Sequence, residues 1–283
     1  MKFKIVFFIA LGITFNSCSL FDGFEEEPMY ISFSEDPSLV VGPDEGADTH
    51  DIFGVSVYAD GFNVGVFNLP ADVPVLDNNS ETDLSVFAVI RNNGQGDRPL
   101  EYPFYKSIEI SRSFEPGGSV PVNPQFEYKD DLNFLYIEDF EDQHRITENI
   151  DGSDTIVIEK VGDARSGSFS GAIMTSEANP FFEKATFNTF NSADINNTFA
   201  YLEMDYKNDI PFRVGIIGII GNQAERQYKI QLSISEEWNK IYLDLTPEIL
   251  TNNYTSYKLL FSSLPGDTDY GTVQIDNVKL ITF

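Results

Sequence analysis

The chain has one cysteine, two histidines and one tryptophan among its 283 residues. Because Cys18 is the only thiol, a disulfide within the chain, a thiol nucleophile farther along it and a Cys/His zinc cluster are all excluded. A Ser-His-Asp triad would have to use His50 or His144, and neither has a nucleophile-elbow sequence nearby. We therefore predict that the protein is not an enzyme; the alternative is a hydrolase that uses two of the 45 acidic residues, a pair that the sequence alone does not identify.

Basic residues are also few, with 18 against 45 acidic ones, and the formal net charge is −27. Such a charge repels nucleic acid and anionic lipid, so we expect no nucleic-acid partner. The carboxylates are suitable ligands for Ca²⁺, a hard cation that prefers oxygen. The alternative interpretation is that the acidic residues simply keep a secreted β-protein soluble.

No apolar run is long enough for a membrane-spanning helix. The run at 5–13 has nine residues, whereas a spanning helix needs about 20. It follows Lys2 and Lys4 and ends before the small residue Ser17, which is the pattern of a secretory signal peptide. We therefore predict a signal peptide at 1–17 and an acidic tether at 18–27.

The pair Ser17-Cys18 resembles the lipobox of bacterial lipoproteins, although Phe15 and Asn16 depart from its usual residues. The resemblance implies that signal peptidase II cuts between Ser17 and Cys18 and that Cys18 is lipidated, which anchors the chain in the membrane through acyl chains such as palmitate. The acidic residues 25–27 resemble the surface-export tag of Bacteroidetes lipoproteins, which implies exposure on the outer membrane. Their alternative role is to extend the tether by charge repulsion.

Apolar and polar residues alternate with period two through 30–34, 55–59, 62–67, 84–91 and 105–110, which predicts short strands. Asp60-Gly61 separates two of these runs and predicts a two-residue hairpin turn. Residues 28–130 are therefore predicted to form a small β-sandwich. The stretches 68–76 and 98–105 resemble the N-terminal domain of some Bacteroidetes envelope lipoproteins, which implies an immunoglobulin-like or prealbumin-like sandwich and no activity.

Residues 134–283 contain four ordered features: an acidic strand at 134–142, a Gly/Ser loop at 162–171, a strand headed by Trp238, and a closing strand at 272–280. Together they resemble the galactose-binding-like jelly roll of many carbohydrate-binding modules. The fold class is thus all-β, with two β-sandwich domains. The apolar, glycine-containing stretch 215–221 is too short to span a membrane and predicts a buried central strand.

Many members of the resembled family hold a structural Ca²⁺ between the opening and closing strands. The matching positions here are Glu141, the backbone of the Ser166 loop, and Asp276, with Glu138 or Asp139 as substitutes for Glu141. The alternative is that Asp276 caps a turn without any ion.

A glycan-binding face needs exposed aromatic rings together with polar groups. Tyr254, Tyr257 and Tyr270 lie among polar, loop-like residues and are the predicted ligand-binding tyrosines, whereas Trp238 is expected to pack on the core. The leading hypothesis is non-catalytic binding of a polysaccharide at the cell surface. The alternative is a structural or assembly role in which the sandwiches dock on another envelope protein.

Overall fold

The structure, a computed structural model, describes residues 27–76, 81–113, 115–152, 156–195, 198–264 and 270–283. Strands account for 56% of the chain and helices for 4%, which confirms the all-β prediction. Within the described ranges, no helix has the length and apolar character needed to cross a membrane. Cys18, Ser17 and the predicted signal peptide lie outside the described residues.

The first sandwich consists of ten strands. They are β1 (Met29–Phe33), β2 (Ser38–Val40), β3 (Gly54–Ala59), β4 (Phe62–Asn68), β5 (Ala71–Val75), β6 (Glu81–Arg91), β7 (Pro99–Glu101), β8 (Ile108–Ser113), β9 (Ser119–Val122) and β10 (Gln125–Glu127). An antiparallel sheet has the order β4-β3-β6-β7, with β8 also paired to β6. A three-stranded sheet, β5-β1-β9, and the pair β10-β2 complete the sandwich around one hydrophobic core.

The predicted hairpin between β3 and β4 is confirmed. Asp60 and Gly61 both have positive φ, 48° and 79°, as a two-residue turn between twisted antiparallel strands requires. The strand expected at 105–110 begins only at Ile108, because Tyr105 instead forms an isolated bridge with Tyr128.

The second sandwich contains twelve strands, one α-helix and a short 3₁₀ helix. The strands are β11 (Asn133–Glu138), β12 (Glu148–Asn149), β13 (Ile158–Val161), β14 (Ser170–Met174), β15 (Glu183–Ala185), β16 (Phe190–Asn191), β17 (Ala200–Asn208), β18 (Phe212–Ile220), β19 (Gln223–Leu232), β20 (Ser235–Asp244), β21 (Ser256–Ser263) and β22 (Thr272–Thr282). The α-helix α1 spans Thr246–Thr251, and the 3₁₀ helix spans Ser192–Ile195.

Two sheets face each other in the second sandwich. The one that we name the covered sheet has the order β13-β14-β22-β17-β20, with β11 also on β22. The other, named the open sheet, has the order β12-β15-β21-β18-β19, with β16 also on β21. Apolar side chains from both sheets form the core between them. The predicted central strand at 215–221 is confirmed as β18, which is buried and lies between β21 and β19.

The covered sheet is named for its outer face, which packs against the first sandwich. On β17, Leu202 and Met204 face the core, so the alternate residues Tyr201, Glu203 and Asp205 face outward. All three are buried, and Tyr201 belongs to the hydrophobic core of the first sandwich. The second sandwich therefore has one outer sheet face that can meet a ligand, that of the open sheet.

Candidate functional site

Tyr228 lies on the outer face of the open sheet because of a β-bulge. Ile230 and Leu232 of β19 face the core, and simple alternation would place Tyr228 on the same side. The register shifts between Val214 and Gly215, where β19 has one extra residue opposite β18. A bulge of this kind reverses the facing of the residues beyond it, so the Tyr228 ring points outward.

Arg213 lies beside this ring on β18. Its neighbours Phe212 and Val214 face the core, so Arg213 projects from the outer face. The guanidinium carbon is 4.0 Å from the centroid of the Tyr228 ring, a cation–π contact. Nη2 donates to the Ser263 carbonyl at 3.1 Å and, more weakly, to Ser262 Oγ at 3.4 Å. The ring and the cation therefore fix each other.

Glu183 on β15 links this pair to Arg226. The Arg226 Nε lies 3.1 and 3.0 Å from the two carboxylate oxygens of Glu183, and the Tyr228 hydroxyl also donates to Glu183. Burial, with the bond to Glu183, raises the pKa of Tyr228, so the hydroxyl keeps its proton. The Arg226 side chain is 45% exposed, which leaves part of its guanidinium open to solvent.

Small and apolar residues form the floor beneath these polar groups. Ala185, Ile217 and Leu260 cluster on the outer face, and Ile150 and Tyr228 pack against them. At the far side of the face, Lys258 on β21 is paired with Glu148 on β12. A half-buried ring with charged donors and acceptors around it is an arrangement that can bind polyhydroxylated ligands, since apolar surface contacts the ligand and the polar groups fix its orientation.

Two of the three predicted ligand-binding tyrosines require correction. Tyr257 has no exposed surface, because it occupies the second position of β21 and faces the core with Leu259 and Phe261. Tyr254 is only 4% exposed, and its ring packs across Gly218, a position where any side chain would overlap the ring. Neither ring can stack on a sugar.

The Tyr254 hydroxyl nevertheless borders a cavity of about 370 Å³ at one end of the sandwich. It donates to Glu225 at 3.0 Å and accepts a hydrogen bond from the Gln227 amide at 3.1 Å. Tyr270 is 44% exposed, but it follows β21 whereas Tyr254 precedes it. An eight-residue strand is roughly 26 Å long, so the two tyrosines lie near opposite ends of β21 and are too far apart to form one binding face.

Trp238 also departs from expectation. It is half-buried at the surface, outside the core residues, and its indole Nε1 donates to Asp163 at 3.4 Å. Asp163 in turn is paired with Lys207 at 2.9 Å, and both partners hold the pKa of the Asp163 carboxyl below its usual range. The strand predicted to begin at Trp238 is β20, which begins three residues earlier at Ser235.

Glu141 and Asp276, predicted to hold Ca²⁺ together with the Ser166 loop, both contact that loop between β13 and β14, but they accept hydrogen bonds from its N–H groups. Glu141 Oε1 accepts from the backbone N–H of Ser168 and of Phe169, at 2.6 and 2.9 Å. Asp276 Oδ2 accepts from the backbone N–H of Arg165 and of Ser166, at 2.9 and 3.3 Å.

Those N–H groups point at the oxygens that a cation would need. Within the described residues, no group of three acidic, His or Cys side chains is arranged to hold a metal. Burial raises the pKa of Asp276 to about 7, although the N–H donors act in the opposite direction. This donor set does not fit Ca²⁺ in the present loop conformation, and calcium binding stays a prediction that requires the loop to rearrange.

Proteins similar to this chain are found among solved structures. No family model and no curated protein sequence matches the chain. Among solved structures, the family 30 carbohydrate-binding module of a cellulosomal cellulase of Clostridium thermocellum is 15% identical, with 55% of this chain and 95% of that one covered and a TM-score of 0.37. The family 11 module from Clostridium thermocellum, in complex with a β-1,3-1,4-mixed-linked tetrasaccharide, is 13% identical over 53% and 95%, with a TM-score of 0.37.

The K3 cleaved adhesin domain of Lys-gingipain from Porphyromonas gingivalis is 12% identical over 54% of this chain and 99% of that one, with a TM-score of 0.40. Identities and scores this low do not transfer function, so the function has to be argued from the side chains of this chain.

Proposed function

We propose that the chain is a lipid-anchored protein of the outer membrane, exposed at the cell surface, whose second sandwich binds a glycan without catalysing a reaction on it. The observation that supports glycan binding is the outer face of the open sheet, where Tyr228 lies among Arg213, Arg226 and Glu183. The apolar side of a pyranose packs beside the Tyr228 ring, over which Arg213 already lies, and its hydroxyls exchange hydrogen bonds with the charged groups.

The carboxylates on this face support binding without catalysis. Glu148 and Glu183 lie on the adjacent strands β12 and β15 and project from the same side of the sheet. A glycosidase needs one carboxyl group free to donate a proton and a second carboxylate free to act as nucleophile or base. Glu148 is also held by Lys258, and Glu183 by Arg226, so both carboxylates already have partners.

The test is a glycan-array and polysaccharide-pulldown screen of the full chain carrying Cys18→Ala, which purifies without lipid. We expect binding to one sugar class and its loss in Tyr228→Ala. Tyr30→Ala is the matched control, because Tyr30 is a partly exposed tyrosine of the first sandwich. Equal binding by both variants would remove the open sheet as the site, and absence of binding by the folded parent would refute the glycan proposal.

The anchor is tested separately in cells that secrete the chain. Labelling with a clickable palmitate analogue is expected to tag the parent protein and to fail with Cys18→Ala. Protease added to intact cells is expected to digest the parent protein if it faces outward. Protection from protease with normal labelling would place the protein on the inner side of the outer membrane instead.

One observation favours the alternative, docking on another envelope protein. Strand β4 is an edge strand of its sheet, and it exposes Phe62 and Val66, at 78% and 50%. An apolar edge strand is a template for pairing with another chain. Crosslinking from a photoreactive residue at position 62 tests this role, and Phe187, an exposed residue of the second sandwich outside β4, is the control position.

A further inference from the structure

We infer that the glycan bound by the Tyr228 face is acidic and that Arg213 binds a carboxylate of the ligand, such as that of a uronic acid. This inference rests on the proposed function and names the class of its ligand. Its basis is the charge distribution on the outer face of the open sheet.

Arg213 is the cation on this face that has no acidic partner. Among the described residues its hydrogen bonds go to Ser262 Oγ and the Ser263 carbonyl, both neutral groups, and both from Nη2. No carboxylate lies within ion-pairing distance of it among the described residues. Nη1 has no hydrogen-bond partner in the same part of the chain, and Nε is unpaired but buried, so the Nη1 end of the guanidinium is the part that can meet a ligand.

The other charged side chains described on this face form two ion pairs. Arg226 is paired with Glu183, with an N–O distance of 3.0 Å, and Lys258 is paired with Glu148. Arg213 therefore gives the face a net positive charge, although the chain as a whole carries −27. At physiological ionic strength charges are screened beyond roughly 8 Å, so a ligand seated on the face interacts with the local charge rather than with the total.

The surroundings also prepare Arg213 for a planar anion. Its guanidinium is held over the Tyr228 ring at 4.0 Å, and the Tyr228 hydroxyl is held by Glu183. A guanidinium that is already oriented loses little entropy when its fork meets a carboxylate, and such bonds are stronger than those between neutral groups. A carboxylated sugar would place its carboxylate at Arg213 and its ring beside Tyr228.

The experiment uses one polysaccharide in two forms, polygalacturonate and its carboxyl-reduced derivative, which differ only in the acid group; alginate and hyaluronan widen the set of acids. The full chain carrying Cys18→Ala is expected to bind at least one acidic polymer and to lose about tenfold or more in affinity when the carboxyls are reduced. Arg213→Gln is expected to cause a similar loss, and Arg213→Lys a smaller one, because lysine keeps the charge without the fork.

Arg112→Gln is the matched control, because Arg112 is an exposed arginine of the first sandwich that donates to a backbone carbonyl. Thermal unfolding of each variant separates lost binding from lost folding. Equal binding of neutral and acidic polymers, with loss in Tyr228→Ala, would overturn the acidic assignment and leave the proposed function standing. No binding of either form, or of any array glycan, would overturn both.

Discussion

The Tyr102 hydroxyl of the first sandwich donates to Glu203 Oε1 of the second at 2.8 Å, with both residues buried. Tyr128, also from the first sandwich, donates to the other carboxylate oxygen at the same distance. Lys240 Nζ lies 3.7 Å from Glu203 Oε2, and Lys279 Nζ donates to the Tyr128 hydroxyl at 3.3 Å. A carboxylate of one sandwich is thus satisfied by hydroxyls of the other.

The first prediction concerns this carboxylate. Glu203→Gln keeps the shape of the side chain but removes the buried negative charge that stabilises the ammonium groups of Lys240 and Lys279. Removing one member of a buried charge cluster costs about 3 kcal/mol or more, and we expect the free energy of unfolding to fall by that amount in urea titrations. Glu109→Gln is the control, because exposed Glu109 accepts hydrogen bonds from the hydroxyls of Ser85 and Ser107, and its effect should stay within about 0.5 kcal/mol. Equal midpoints for the two variants would contradict the argument.

The second prediction concerns alkaline pH. Burial, together with the nearby Glu203 charge, raises the pKa of four tyrosines at the interface well above the usual value: Tyr102, Tyr105, Tyr128 and Tyr242. In the unfolded chain they ionise near pH 10. Their contribution to stability is therefore complete below that pH and is lost as the pH rises further, by up to about 5 kcal/mol per pH unit for four groups.

One group acts in the opposite direction at lower pH. Burial lowers the pKa of Lys279 to about 8 in the folded protein, whereas a lysine of the unfolded chain titrates near pH 10.4. Between these two pH values the unfolded chain binds the extra proton, so this group raises the free energy of unfolding as the pH rises. Urea unfolding across the alkaline range should show stability that is held or slightly raised and then falls steeply. Ultraviolet titration of the folded protein checks the cause, because the four tyrosines should ionise only on unfolding. Ionisation of all 13 tyrosines near pH 10 with the fold intact would disprove it.

Much of the fold was predictable because strands and turns are local features. Alternation located β1, β3 and β6, and the Asp60-Gly61 pair located the hairpin, since both turn positions need positive φ. The opening strand of the second sandwich was predicted through residue 142 but ends at Glu138. Phe140 there has a φ of 57°, and its N–H donates to the Glu138 carboxylate, which turns the chain out of the sheet.

The site was less predictable because facing depends on register and on neighbouring strands. Tyr257 follows a polar stretch yet alternates with Leu259 and Phe261 into the core. Tyr228 alternates with apolar residues yet faces outward, because the bulge in β19 reverses its side. Alternation of apolar residues with Tyr201, Glu203 and Asp205 in 200–205 is typical of a strand with one face in water, yet both faces are buried because the first sandwich covers the polar side.

The third prediction concerns Gly215 at the β19 bulge. A Cβ at this position would overlap the Gln227 carbonyl and the backbone of Tyr228, which cannot move without disturbing the register. Gly215→Ala should therefore lower the free energy of unfolding by about 1–3 kcal/mol and weaken ligand binding by displacing Tyr228. Gly162→Ala is the control, since a Cβ there meets nothing within 4 Å and its φ is not positive. A Gly215→Ala protein with unchanged stability would mean that the bulge is not fixed by this contact.

The fourth prediction concerns the dependence of one sandwich on the other. The outer face of the covered sheet carries Tyr201, Glu203, Asp205, Tyr242 and Lys279, all buried by the first sandwich. Without that cover, the rings of Tyr201 and Tyr242 would be exposed to water. Glu203 would lose the hydroxyls of Tyr102 and Tyr128, and Asp205 would lose that of Thr49.

We therefore expect residues 132–283 produced alone to melt at a lower temperature than the chain from 27 to 283, and to bind a dye for exposed apolar surface. The longer chain should unfold in a single transition, because losing either sandwich exposes the shared core. Adding residues 27–131 in trans should raise the melting temperature of the shorter chain by mass action. If instead the shorter chain melts at the same temperature as the longer one, exposing the outer face of the covered sheet to water costs no stability, and the interface between the sandwiches contributes none.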